Sequence, residues 1–215
     1  MICGIGEDFL GYAFRALVPD IARALRRSRA AILSVAVVHA LAIIVGILMV
    51  HTGNEFALEY GDDLVSRARS SDPASFALQR DDRLNAALLD FRANLLLGAL
   101  PLTGSGLAVV TSYPIAAYRA WVGGIVSVDR DHASRLAEPR EAIYYLLTLA
   151  LQLIPYTLAG GVGINVGWAY FRPQPHYVGD KWLGYPKEAV FDALRVYLLI
   201  VPLLLVASLW EFLAR

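Results

Sequence analysis

The chain has 215 residues and no net formal charge at neutral pH; 57% of its residues are hydrophobic, 18% are charged, and the mean hydropathy is +0.52. That charged share is below the roughly 25% usual for soluble domains, which argues against a soluble enzyme, and the balanced charge gives no footing for nucleic acid. Cys3 is the single cysteine, which excludes an intrachain disulfide and any metal site built on cysteines.

Glu7, Asp8, Arg15, Pro19 and Asp20 interrupt the first residues, so no continuous apolar core of a cleavable signal is read there. Within residues 1–29, Phe9, Leu10, Tyr12, Ala13, Ala16, Leu17 and Ile21 recur at helical spacing. This predicts an amphipathic segment lying at the cytoplasmic face of a membrane. Residues 30–50 carry no charge. About 20 apolar residues cross a hydrocarbon core, and only a helix satisfies its own backbone there. Arg23, Arg26, Arg27 and Arg29 immediately precede this run, which predicts a cytoplasmic N-terminus in the inner membrane.

Residues 51–92 are the one long polar stretch, richer in acids (Glu55, Glu59, Asp62, Asp63) than in bases. They are expected to form an extracytoplasmic helical loop. Leu84, Leu88, Leu89 and Phe91 predict a helix leading into the next span. Residues 93–128 would extend about 54 Å as one helix, too long for a single crossing, and PLTGSG at 101–106 and Ser112-Tyr113-Pro114 interrupt them. Residues 142–171 carry Pro155 and the Gly160–Gly163 cluster, and the last apolar run, 190–213, carries Pro202. The resulting fold class is all-α: a polytopic helical membrane domain over 30–215 with helices broken at proline and glycine. Its preferred count is five crossings, with 93–128 as a tight pair. Four crossings with kinked helices is the alternative, and it moves Arg130, Arg135 and Arg140 to the cytoplasmic side.

Small residues repeat every four positions at Ala116, Ala120 and Gly124, and again at Ala159, Gly163 and Gly167. Such faces let helix backbones approach closely, which predicts packing within the chain ahead of an oligomer interface. Gly163→Leu should therefore be disruptive and Gly163→Ala much milder. Polar groups in apolar spans are costly without partners, so Asn94, Arg119, Gln152, Asn165 and Glu211 are the candidate site residues, with the three amides expected to face the interior. Asp192 and Arg195 can pair locally at i, i+3. His39, alone in the first span, reads as a packing histidine. No zinc-protease, nucleophile-elbow or phosphate-loop motif occurs, and the histidines at 39, 51, 132 and 176 are not at ligand spacing. No catalytic residue, metal or cofactor is therefore assigned. Gly104-Ser105-Gly106 has no later span carrying a histidine base.

Three short stretches resemble the stage II sporulation protein M family of membrane proteins: Arg92-Ala93-Asn94 through Gly98 and Gly104, then QLIPYTLAGGVG at 152–163, then Ala207-Ser208-Leu209-Trp210-Glu211-Phe212. Where that family carries a His-Gly pair and a glutamate, this chain has Thr148, Leu149 and Gln152. The resemblance implies a helical membrane domain of about five spans that acts as an assembly or anchoring subunit for other proteins, without catalytic activity. The expected partners are the lipid bilayer and either a protein partner or a second copy of the chain. The rival reading is a small channel or transporter with its site at the two proline–glycine stretches, since paired interrupted spans can mark such sites.

Overall fold

A computed structural model describes the backbone of residues 5–129 and 131–214, and the side chains from Leu17 onward with the same exceptions. Cys3 and the apolar face expected over residues 9–16 lie outside the described side chains.

The long apolar runs become long helices. Helix α1 (Ile5–His51) continues from the N-terminal segment into the first span without a break. Helices α2 (Glu55–Ser71) and α3 (Pro73–Gln79) form the polar cap. Asn54 and Asp72 start these helices by accepting backbone N–H bonds from Ala57 and from Ala74 and Ser75, the usual role of Asn and Asp at an N-cap. Helix α4 (Arg83–Ala93) passes through a π-helical turn (Asn94–Ala99) into α5 (Leu100–Gly106). Helices α6 (Ser112–Ile125), α7 (Pro139–Phe171) and α8 (Lys187–Leu213) follow, with a two-stranded hairpin of β1 (Lys181–Trp182) and β2 (Tyr185–Pro186) before α8.

Four of these helical stretches are long and apolar enough to cross a membrane: 17–51, 83–106, 139–171 and 187–213. The chain is an all-α, multi-pass membrane protein. The second of them begins at Arg83, so the helix ahead of Ala93 belongs to the span. Helix α6, with 14 residues, rises only about 21 Å, yet it completes a return pass through the bundle. Tyr113 meets Ser34, Gly124 meets Gly46, and Val50 clusters with Ile125, so α6 runs in the same direction as α1. Helix α7 runs the other way, with Thr157 bonded to His39 and Gly161 against Ile32. The bundle thus holds four helices of membrane-spanning length and the shorter α6 running between α5 and α7, with the 172–186 segment at the Arg27 end of α1's apolar run and the cap at the His51 end.

One expected break is absent. Helix α7 runs through Pro155 and the glycine cluster without interruption, because one missing N–H removes a single ladder bond and packing on both sides holds the helix. The break expected at 101–106 and 112–114 is displaced: PLTGSG is helical in α5 and Ser112-Tyr113-Pro114 opens α6, while the interruption consists of the π turn at 94–99 and the reversal at 107–111. Pro101 has no N–H to offer the Leu97 carbonyl four residues earlier. The Arg119 side chain donates to that carbonyl instead, at 2.9 Å.

Aromatic side chains gather at both ends. Phe56, Tyr60, Tyr118 and Trp121 stack together at the cap end, as do Tyr144 and Trp210. Trp168, Tyr170, Phe171 and Tyr185 lie at the other end, and Tyr170 contacts both Phe171 and Tyr185. From Tyr144 to Trp168 along α7 is about 36 Å. That falls between the hydrocarbon thickness of about 30 Å and the full bilayer of about 40–45 Å, which is where membrane-interface aromatics belong.

Candidate polar sites within the bundle

Two glycine-lined seams hold the passes together. On α6, Ala116, Ala120 and Gly124 are buried on one face, and Gly124 lies against the Ile43 carbonyl and Gly46 of α1. On α7, Gly163 lies against the Thr103 backbone, and a Cβ on Gly167 would meet the Gly106 carbonyl at 2.5 Å. Ala159 is buried in the same seam, and its carbonyl accepts from the Thr103 hydroxyl at 2.9 Å. The atom facing Gly163 is backbone, which cannot swing aside. Even Gly163→Ala must therefore push α5 away, contrary to the mild effect the sequence suggests.

The polar residues form two clusters. The first lies at Arg27, just ahead of the uncharged run of α1. Asp192 is 1% exposed and accepts from Arg27 at 3.1 Å and from Arg195 at 2.7 Å. Glu188 also accepts from both arginines. Tyr177 donates to Asp192 at 3.1 Å and accepts from the Asn165 amide at 2.8 Å, and Arg27 lies over its ring. Burial pushes the Tyr177 phenol well above its usual pKa against the opposing pull of the Asn165 bond, so it stays a donor. Helix α1, helix α7, the loop before the hairpin and helix α8 are thus tied at one point.

The second cluster lies deeper and toward the cap. Tyr156 donates to Asn94 at 2.7 Å, and Asn94 donates to Asp90 at 2.8 Å. Ser208 donates to the same Asp90 carboxylate at 2.7 Å. One turn away, Gln152 donates to Glu211, whose backbone carbonyl accepts from Tyr144. The Arg119 guanidinium lies 4.8 Å from the Tyr156 ring centre. On the α1 side of this cluster, buried His39 bonds Thr157 through Nδ1 at 2.8 Å, while its Nε2 has no partner among the described residues. The packing role read for His39 thus accounts for one ring nitrogen only.

Four candidates from the sequence, Asn94, Arg119, Gln152 and Glu211, therefore lie in the deeper cluster, and Asn165 lies in the other. All three amides bond side chains from other parts of the fold. Sequence reasoning missed Tyr156, Tyr177, Asp90, Ser208 and Glu188, and counted Arg27 only as topology signal. Asn165 and the Asp192–Arg195 spacing were the sequence's clues to the first cluster.

The cap adds a cleft of about 230 Å³ between α2 and the 126–135 segment, with Leu58, Val65 and Ile125 at its base and Asp62, Arg69 and Arg135 around it. The chain matches no family model, no curated protein and no solved structure.

Proposed function

We propose that this protein is a membrane-embedded assembly or anchoring subunit, of the kind the stage II sporulation protein M resemblance implies, whose cap binds another protein. The observation that carries this reading is the α5–α7 seam. The two proline–glycine stretches that could have formed a transport site are packed on each other, backbone against backbone, at Gly106, Gly163 and Gly167. The cap, in contrast, offers a cleft with an apolar base and charges of both signs, the composition of a protein-binding surface with a polar rim. The proposal assigns the chain no enzymatic activity.

In this role α1's start lies in the cytoplasm of an inner-membrane protein. Arg26, Arg29, Arg172 and Lys181 are exposed at that end and carry no ion-pair partner among the described residues. Acidic side chains dominate the cap. This is the asymmetry that retains basic loops inside.

A photo-crosslinking residue at Arg69, compared with one at lipid-facing Leu97, tests the proposal in native membranes. A discrete protein adduct from position 69, lost when Asp62 and Arg135 are charge-reversed, is the expected result. Absence of any protein adduct from the cap would contradict it. A second reading, a small channel or transporter, is favoured by the polar cluster around Tyr156. It requires that Gln152→Leu abolish a flux measured in liposomes while leaving stability nearly unchanged.

A further inference from the structure

The loop before α8 exposes apolar side chains that none of the described residues covers. Val178 is 85% exposed, Trp182 60% and Leu183 82%. The flanking residues are firmly placed. Tyr177 is buried in the ionic cluster, Pro186 is buried, and Tyr185 contacts Tyr170 with ring centres 5.0 Å apart. The exposed side chains therefore stand on a fixed base.

The hairpin turn is unusual in its chemistry. Lys181 pairs with Pro186 and Trp182 with Tyr185, leaving Leu183-Gly184 as a two-residue turn. Both turn residues have positive φ, 51° and 87°. Such turns favour Asn-Gly or Gly-Gly, because a branched apolar residue is strained there. The chain accepts that strain and presents leucine, beside tryptophan, at the tip. In water both the strain and the exposed apolar area are unfavourable.

The position of the tip identifies what covers it. A Cβ on Gly184 would come within 2.7 Å of the Tyr170 ring, so the turn rests on a ring in the last turn of α7. Tyr170 continues into Phe171, and both are exposed at the end of a membrane-spanning helix. The tip is thus continuous with the aromatic rim at the bilayer surface. Lys181 and Arg172 are exposed beside it without ion-pair partners among the described residues, whereas Lys187 is paired with Asp180.

We infer that the 181–186 hairpin is an interfacial membrane anchor: Trp182 and Leu183 insert among the lipids of the leaflet at α1's starting end, and Lys181 and Arg172 contact anionic phospholipid headgroups. Tryptophan at the headgroup level and leucine just below it suit that depth, and basic side chains near an anionic surface add attraction that salt screens. The anchor fixes the loop that carries Tyr177, and through it the ionic cluster linking α1, α7 and α8.

The test uses the full chain in nanodiscs with Cys3→Ser. A bimane fluorophore is attached at Leu183→Cys, with a second variant at Val178→Cys and a control at Ser71→Cys on α2. The inference expects severalfold stronger quenching at 183 than at 71 by lipids brominated high on the acyl chain, together with protection from aqueous iodide. It also expects stronger lipid quenching at 183 when phosphatidylglycerol is mixed into phosphatidylcholine, an increase lost in Lys181→Glu/Arg172→Glu. Iodide quenching at 183 equal to that at 71 would overturn the anchor, as would burial of both labels from lipid and iodide alike, the mark of a protein partner. Equal lipid quenching in neutral and anionic nanodiscs would overturn the headgroup contact.

Discussion

The two polar clusters solve the same problem in different ways. Just ahead of α1's uncharged run, carboxylates and guanidiniums meet directly: Asp192 and Glu188 each accept from Arg27 and Arg195. Deeper and toward the cap, the Asp90 carboxylate is met by an amide and a hydroxyl, and the Arg119 guanidinium goes to a backbone carbonyl and an aromatic ring. The difference follows depth. At the first cluster the arginines remain about a quarter exposed, at 27% and 28%, so their charge is partly solvated while Asp192 is fully covered. At Tyr156, about 18 Å along α7 from the interfacial Tyr144, dipoles that both donate and accept can satisfy freed backbone and side-chain groups across helices.

The sharpest way to break this contrast is Asp192→Ala. It leaves two guanidiniums without their shared buried partner, and breaking a buried pair costs about 3–5 kcal/mol. Partial solvation of both arginines lowers this to about 2–4 kcal/mol. Thermal unfolding in detergent should show the loss, and Asp192→Asn should recover part of it through its remaining hydrogen bonds.

Next in size is the α5–α7 seam. Gly163→Ala should cost about 1–3 kcal/mol as overpacking, and Gly163→Leu should cost more and lower the folded yield. An unchanged melting temperature in Gly163→Ala would show that Thr103 can retreat. The smallest effect is expected in the deeper cluster. Tyr156→Phe removes one interhelical hydrogen bond, worth about 0.6 kcal/mol on average in membranes. A loss as large as that of Asp192→Ala would erase the distinction between the clusters.

The long helices were legible because an uncharged run of bilayer length has few other solutions, and the four-residue repeats at 116–124 and 159–167 marked the faces that pack. The partners were not legible. Nothing near Arg119 in sequence names Leu97, whose carbonyl is released by Pro101 on a different pass. Tyr156 and Tyr177 escaped notice because a tyrosine in a membrane protein usually belongs to the interface, and only tertiary structure shows these two bridging helices. Gly46, four residues after Ala42, was not read as a packing position; its role comes from the α6 backbone at Trp121 and Gly124 that faces it. The break expected at Pro155 failed for a related reason: proline limits a helix locally, but packing on both sides decides whether it breaks.

The path of the chain underlies all of this, since the clusters and seams require α6 to return through the bundle. Single cysteines at Ser71, Ala137 and Val178, in a Cys3→Ser background, test it with a membrane-impermeant label on intact cells. Five passes predict that 71 and 137 label from outside and 178 only after the membrane is opened. Labelling of 178 from outside, with 137 protected, would match four passes and contradict the account.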